Sequence, residues 1–101
     1  MLCALTVRKL KPGSFDEFLE AFRPHAADDM PRGWVRFHAL RDRSDPDRIV
    51  TFGFFDGTFE ELEATQAEGG YDERRDRVGQ YVDSVEVNGV FDVVTETVPS
   101  R

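Results

Sequence analysis

Two short stretches of this chain follow one pattern: GSFDEFLEAF, beginning at Gly13, and GTFEELEAT, beginning at Gly57. Each opens on glycine, continues with a hydroxyl residue, Ser14 or Thr58, and places a glutamate, Glu17 or Glu61, three residues further on. A hydroxyl that accepts from the backbone N–H three residues ahead, while a carboxylate reaches back to the hydroxyl residue's own N–H, is a capping box, and it starts a helix. After the first box, Phe15, Phe18, Leu19 and Phe22 fall on one helical stripe, and Pro24 ends the pattern. After the second, Phe59 and Leu62 begin a similar stripe that Gly69 and Gly70 stop, and Tyr71 to Tyr81 reads as a further helical piece with Glu73 and Arg77 at ion-pair spacing.

A strand-type run stands before and after each helix. CALTVRKL from Cys3 to Leu10 and RIVTFGFFD from Arg48 to Asp56 precede them. GWVRFHALR from Gly33 to Arg41 follows the first, its alternation setting Val35, Phe37 and Ala39 against Trp34, Arg36 and His38. A fourth run begins near Tyr81 and continues as DSVEVNGVFDVVTETV, with Asn88-Gly89 expected as a turn or bulge. The order is β-α-β, a hairpin loop RDRSDPDR, then β-α-β: an α+β, ferredoxin-like split βαβ with an antiparallel sheet and an extra C-terminal strand. The 101 residues make one domain, 1–101.

That architecture sets both helices on one face of the sheet and leaves the other bare. The third strand carries apolar groups on both sides, Val50, Phe52 and Phe54 against Ile49, Thr51 and Phe55, and Val90, Val94 and Val98 oppose Phe91 and Val93 near the C-terminus. A bare apolar face is rare on a monomer, so a homodimer, with a second copy across a two-fold axis, is the expected assembly; a C-terminal hairpin folded back on its own sheet is the alternative.

Charge narrows the partners. Thirteen Lys and Arg against twenty Asp and Glu give a formal charge of -7, which repels nucleic acid and anionic membranes alike. The apolar run Leu2 to Val7 is too short for an export signal or a membrane span, and Arg8 and Lys9 follow it instead of preceding it. One cysteine, Cys3, permits no internal disulfide, so a reducing cytoplasm is the expected location.

This segment order, with a terminal strand to spare and a stretch such as VTFGFFDGTFEELEA, resembles the dimeric α/β-barrel superfamily and in particular its antibiotic biosynthesis monooxygenase (ABM) branch. The resemblance covers nearly the whole chain. It implies oxidation of a small aromatic or polyketide-like substrate without metal or flavin, or haem degradation, in a pocket between sheet and helices. The haem-degrading members carry an Asn on the first strand, a Trp closing the third and a His on the following helix. Here those places hold Ala4 and Thr6, Phe55, and Thr65 with Gln66, so haem degradation is disfavoured and no cofactor is expected.

Candidate residues for such chemistry are few. His38 shares a predicted strand face with Arg36 and Trp34; a neutral imidazole there could take a proton as general base while Arg36 holds the resulting anion. The bland alternative places both at a dimer face or in water. Tyr71 and Tyr81 flank the third helical piece, where the resemblance implies pocket hydroxyls, and Trp34, Phe22, Phe52 and Phe55 are expected as walls for a small apolar or aromatic ligand. His25 with Asp28 and Asp29 is too sparse a set for a metal, and Asp42, Asp45 and Asp47 read as a solvated turn rather than a calcium loop. A non-catalytic dimeric binding or scaffold protein of the same fold, and a muconolactone-type isomerase, stand as alternatives to the oxygenase.

Overall fold

The computed structural model describes residues 1–22, 32–68 and 71–100, with the side chains of residues 68 and 71–74 outside that description. Four strands and three helices follow in the order β1 (Leu2–Leu10), α1 (Phe15–Phe22), β2 (Trp34–Arg41), β3 (Arg48–Phe55), α2 (Phe59–Glu68), α3 (Tyr71–Gly79) and β4 (Val82–Asp92). The strands form one sheet in the order β2-β3-β1-β4. Every pairing in it is antiparallel, which is the ferredoxin-like arrangement expected from the paired capping boxes.

The second capping box is fully formed. Glu61 N donates to Thr58 Oγ1 at 3.1 Å and Thr58 N donates to Glu61 Oε1 at 3.2 Å. At the first helix, Ser14 works through its backbone, its N–H donating to Lys11 O at 3.0 Å and its carbonyl accepting from Phe18 N at 2.9 Å. The side-chain half of that box is not among the described hydrogen bonds. Pro24 and Glu73's side chain lie outside the described residues.

The helices cover the sheet face that carries Leu2, Ile49 and Phe55, and they bury it in two clusters. Phe18 of α1 and Val78 of α3 close over Leu10 and Ile49, whereas Leu62 of α2 closes over Leu2 and Phe55. Phe18, Phe55, Leu10, Ile49 and Leu62 are fully buried, each contributing about 1.5–3 kcal/mol of transfer free energy. Gly33 makes the second cluster possible: its φ is +96°, and a Cβ there would meet the Phe55 ring at 2.5 Å.

Three expectations need correction. Trp34 does not share a face with Arg36 and His38. Trp34 pairs with Phe55 and Arg36 with Phe54, so the intervening Val35 is a β-bulge, and the bulge turns Trp34 and Phe37 to the helix side while Arg36 and His38 stay on the bare side. Asn88 and Gly89 are not a turn or a bulge but lie within β4, opposite Thr6 and Leu5; the register shifts fall nearer the start of β4, between its pairings with Val7 and Arg8 and between those with Lys9 and Leu10. The extra C-terminal strand is not formed within the chain: Val93 N reaches Met1 O at 3.0 Å, and 94–100 carry no strand, with Val94 and Val98 at 89% and 75% exposure. Among the described residues, no helix is long and apolar enough to cross a membrane.

Candidate active site

Between the two buried clusters, the helix-facing side of the sheet is built from small or polar residues. β1 presents Ala4, Thr6 and Arg8, β3 presents Thr51 and Gly53, and β4 presents Asn88 and Val90. Short side chains at the middle of a covered sheet leave space beneath the helices, and a cavity of about 290 Å³ lies there. Phe22 of α1, Thr65 and Gln66 of α2, and Arg75 and Val78 of α3 complete its lining from above, with Trp34 and Phe37 at the β2 side. Gly53 keeps the floor low on that side, since a Cβ would stand 2.6 Å from the Phe37 ring and 3.0 Å from the Trp34 ring.

The aromatic wall is interlocked. Trp34 packs on Phe37 with centroids 4.7 Å apart and meets Phe55 edge-on at 5.1 Å. The polar floor is interlocked as well. Arg8 Nη1 donates to Thr51 Oγ1 at 2.8 Å, and the guanidinium carbon lies 5.4 and 5.8 Å from the ring centres of Phe18 and Phe22. Thr6 Oγ1 donates to Asn88 Oδ1 at 3.2 Å. With its carbonyl oxygen so engaged, Asn88 keeps its N–H donors for a ligand. Hydrogen-bonding side chains and aromatic rings thus line the same cavity.

Of the residues expected at a site, Phe22, Trp34 and Phe52 border the cavity, although the Phe52 ring itself is turned to the other face. There it stacks on His38 at 4.8 Å, and Arg36 lies over Phe54 at 4.8 Å. His38 and Arg36 are therefore separated from the cavity by the sheet. Phe55 is 1% exposed in the second cluster and Tyr81 packs at the edge of the first, so neither lines the cavity. Tyr71 opens α3, but its side chain, like His25, Asp28 and Asp29, lies outside the described residues. Cys3 is half-buried on the bare face, and burial pushes its thiol above the usual range, away from nucleophilic chemistry. Asp42 and Asp45 are tied into the β2–β3 turn, accepting from Ser44 N at 2.7 Å and Asp47 N at 3.0 Å and pairing with Arg48 and Lys9.

Arg8, Thr6, Thr51 and Asn88 went unselected in the sequence because polar residues on strands read as water-facing. The signal was present in CALTVRKL: Ala4, Thr6 and Arg8 alternate with Leu5 and Val7, and one of those two sets must face the helices.

The fold and the site together define a ferredoxin-like α+β protein with a ligand-sized cavity between helices and sheet. No family model matches the chain, and no curated protein does. Solved structures do. A variant of SnoaB, a cofactor-independent oxygenase from Streptomyces nogalater, superposes with a TM-score of 0.76 at 19% identity, covering 98% of this chain and 97% of that one. A protein described as a candidate antibiotic biosynthesis monooxygenase from Nitrosomonas europaea gives 0.76 at 21% identity, covering 94% and 100%. A dimeric ferredoxin-like protein from an uncultured marine organism gives 0.77 at 14% identity, covering 98% and 92%. At these identities the likeness is one of fold, and the fold is that of the ABM-type proteins.

Proposed function

We propose that this protein is a cofactor-independent monooxygenase that acts on a small electron-rich aromatic bound in the cavity between helices and sheet. The observation that carries the reading is the pairing of an aromatic wall, Phe22, Trp34 and Phe37, with a floor of Thr6, Arg8, Thr51 and Asn88 in one 290 Å³ space. The fold likeness to SnoaB, itself named a cofactor-independent oxygenase, supports it. The chemistry needs a substrate that can ionise and be oxidised by dioxygen directly. An activated ring CH₂ loses a proton, the carbanion passes electrons to O₂, and a C–O bond forms as a peroxide. Cleavage of the O–O bond with loss of water leaves a carbonyl, so CH₂ and O₂ become C=O and H₂O with the substrate as sole reductant. The donors of Asn88 and the Arg8 guanidinium stabilise the negative charge that develops on the ring oxygen.

Oxygen uptake with anthrone, which carries an activated ring CH₂, tests this. One O₂ consumed per substrate, with one labelled atom from ¹⁸O₂ retained in the product and no change on adding a chelator, is the expected result. Asn88→Ala should lower turnover about 100-fold, the loss typical of one missing anion donor. Binding without oxygen uptake would instead make the protein a non-catalytic binder, and conversion without oxygen an isomerase.

The assembly belongs to the same reading. Cys3, Leu5, Phe52, Phe54, Leu40 and Phe91 lie on the sheet face away from the helices, Leu40 and Phe91 being 48% and 49% exposed. Apolar area of this kind fits a second copy of the chain, as in a homodimer. Sedimentation of the wild type should give a dimer, and Phe54→Asp a monomer; a monomeric wild type at about 100 μM would remove the dimer from the reading.

A further inference from the structure

We propose that Thr6 is a positioning residue: its hydroxyl fixes which end of the Asn88 amide meets a ligand, so that the floor selects an aromatic molecule whose polar edge is a ring carbonyl. This rests on the cavity reading above, in which Asn88 is a donor, and adds what orients it. The oxygen and nitrogen ends of an asparagine amide are nearly the same shape, and they exchange by rotation about a soft torsion. An unheld amide therefore offers a ligand an acceptor as readily as a donor. Asn88 would be such an amide, since it is exposed on the edge strand β4. Gln66, the other side-chain amide in the cavity lining, makes no side-chain hydrogen bond among the described residues and has no fixed sense of this kind.

Thr6 holds Asn88 from a fixed place. The two are direct cross-strand partners on the helix-facing side, and Thr6 Oγ1 donates to Asn88 Oδ1 at 3.2 Å. β1 lies between β3 and β4, so the Thr6 backbone belongs to a strand paired on both sides, and a β-branched side chain is stiff at χ1. In the observed sense the Thr6 proton is used, and the Asn88 Nδ2 protons are left for the cavity that both residues line. The reverse sense, with the amide donating to Thr6, would spend one of those donors and offer Oδ1 in its place. A carbonyl on the ligand matches the observed sense. A ligand N–H does not, because it sets donor against donor and leaves both unpaired.

The test compares 1-indanone with indane, which has the same fused rings and lacks the carbonyl. Trp34 lines the cavity and is the chain's sole tryptophan, so the one indole N–H resonance of the full ¹⁵N-labelled chain reports occupancy by either ligand. The two differ in hydrophobicity, so the quantity read is the ratio of their affinities and its change between variants. Asn88→Ala should lower the indanone preference about 2- to 12-fold, the worth of one neutral hydrogen bond. Thr6→Val keeps the shape of the side chain and removes its O–H. It should lower the preference about 2- to 4-fold, with the indane affinity within about twofold, because the amide can then present either end. Thr6→Ser should restore the preference. Thr6→Val added to Asn88→Ala should lower it no further, since a positioning residue acts only through the group it positions. A preference unchanged by Thr6→Val would overturn the role of Thr6, and Asn88→Ala then decides separately whether the Asn88 donor of the cavity reading stands. A further loss in the double variant would overturn the proposal as well. Failure of both ligands to shift the Trp34 signal would overturn the cavity reading together with it. If Thr6→Val does not fold, Thr6→Ala, which also removes the hydroxyl, is read in the same way.

Discussion

Trp34 and Arg36 stand two residues apart on β2 and face opposite sides of the sheet, because Trp34 pairs with Phe55 and Arg36 with its neighbour Phe54. In a regular strand, residues i and i+2 share a face. The extra residue, Val35, supplies the half-step that sends Trp34 into the cavity wall and keeps Arg36 and His38 on the bare face. One bulge thus separates two groups of residues that alternation alone would have joined into a single site.

Deleting Val35 should remove the bulge and keep this separation. Trp34 and Arg36 then become consecutive residues of a regular strand, which face opposite sides, so Trp34 keeps Phe55 as its partner and Arg36 keeps Phe54. Tryptophan emission of the native protein checks this: a spectrum unshifted from that of the wild type is expected. A red-shifted native spectrum would mean that the strand changes register and Trp34 leaves the wall it forms with Phe37 and Phe55.

Gly53→Ala tests the floor of the same wall. The new methyl would stand 2.6 Å from Phe37 and 3.0 Å from Trp34, inside van der Waals contact, so the rings must move into the cavity. Overpacking of this kind costs about 1–3 kcal/mol, and it should also change the native emission of Trp34. Chemical denaturation and native-state tryptophan fluorescence check the two consequences separately.

The fold was legible in the sequence because its determinants are local. Capping boxes at Ser14 and Thr58, glycine stops and strand alternation each act within a few residues, and together they order the elements correctly. The site was less legible because its determinants are relational. Val35 is an ordinary strand residue until Phe55 fills the space beside Gly33 and fixes where Trp34 must go. Asn88-Gly89 carries a turn signature, yet pairing with Thr6 and Leu5 on the central β1 keeps it extended. Thr6 and Arg8 look solvated until three helices are laid over β1, and His38 and Arg36 look like a catalytic pair only while the bulge is unseen.

The two capping sites should differ in worth. Thr58→Ala breaks a reciprocal pair of hydrogen bonds with Glu61 at 3.1 and 3.2 Å and should destabilise the protein by about 1 kcal/mol. Ser14→Ala, at a site whose described bonds are made by the backbone, should cost less than about half of that. Thermal unfolding of the two single variants gives the comparison. Equal losses would show that the Ser14 hydroxyl caps its helix in solution as Thr58 does.

Stability should also carry a defined pH dependence from the β2–β3 turn. Lys9 and the Asp47 N–H beside it hold the Asp45 carboxyl below the usual carboxylate range, and the Ser44 N–H with Arg48 does the same for Asp42. A carboxyl whose folded pKa is depressed contributes stability at pH values above its unfolded pKa, about 3.9, and loses it as pH falls through the folded value. Lys9 is raised by the same contact with Asp45, so its contribution is present below its unfolded pKa, about 10.4, and is lost as pH rises through the folded one. Between those limits the turn's contribution is constant, and it declines at both ends. Asp45→Asn removes one carboxylate and the partner of Lys9 together. Its melting temperature should fall below that of the wild type at neutral pH, and the difference should shrink both in strong acid and above the Lys9 transition. Melting curves collected from pH 2 to pH 12 decide the matter, because a difference that stays constant across that range would assign the loss to the Asp45–Asp47 turn hydrogen bond rather than to the ion pair.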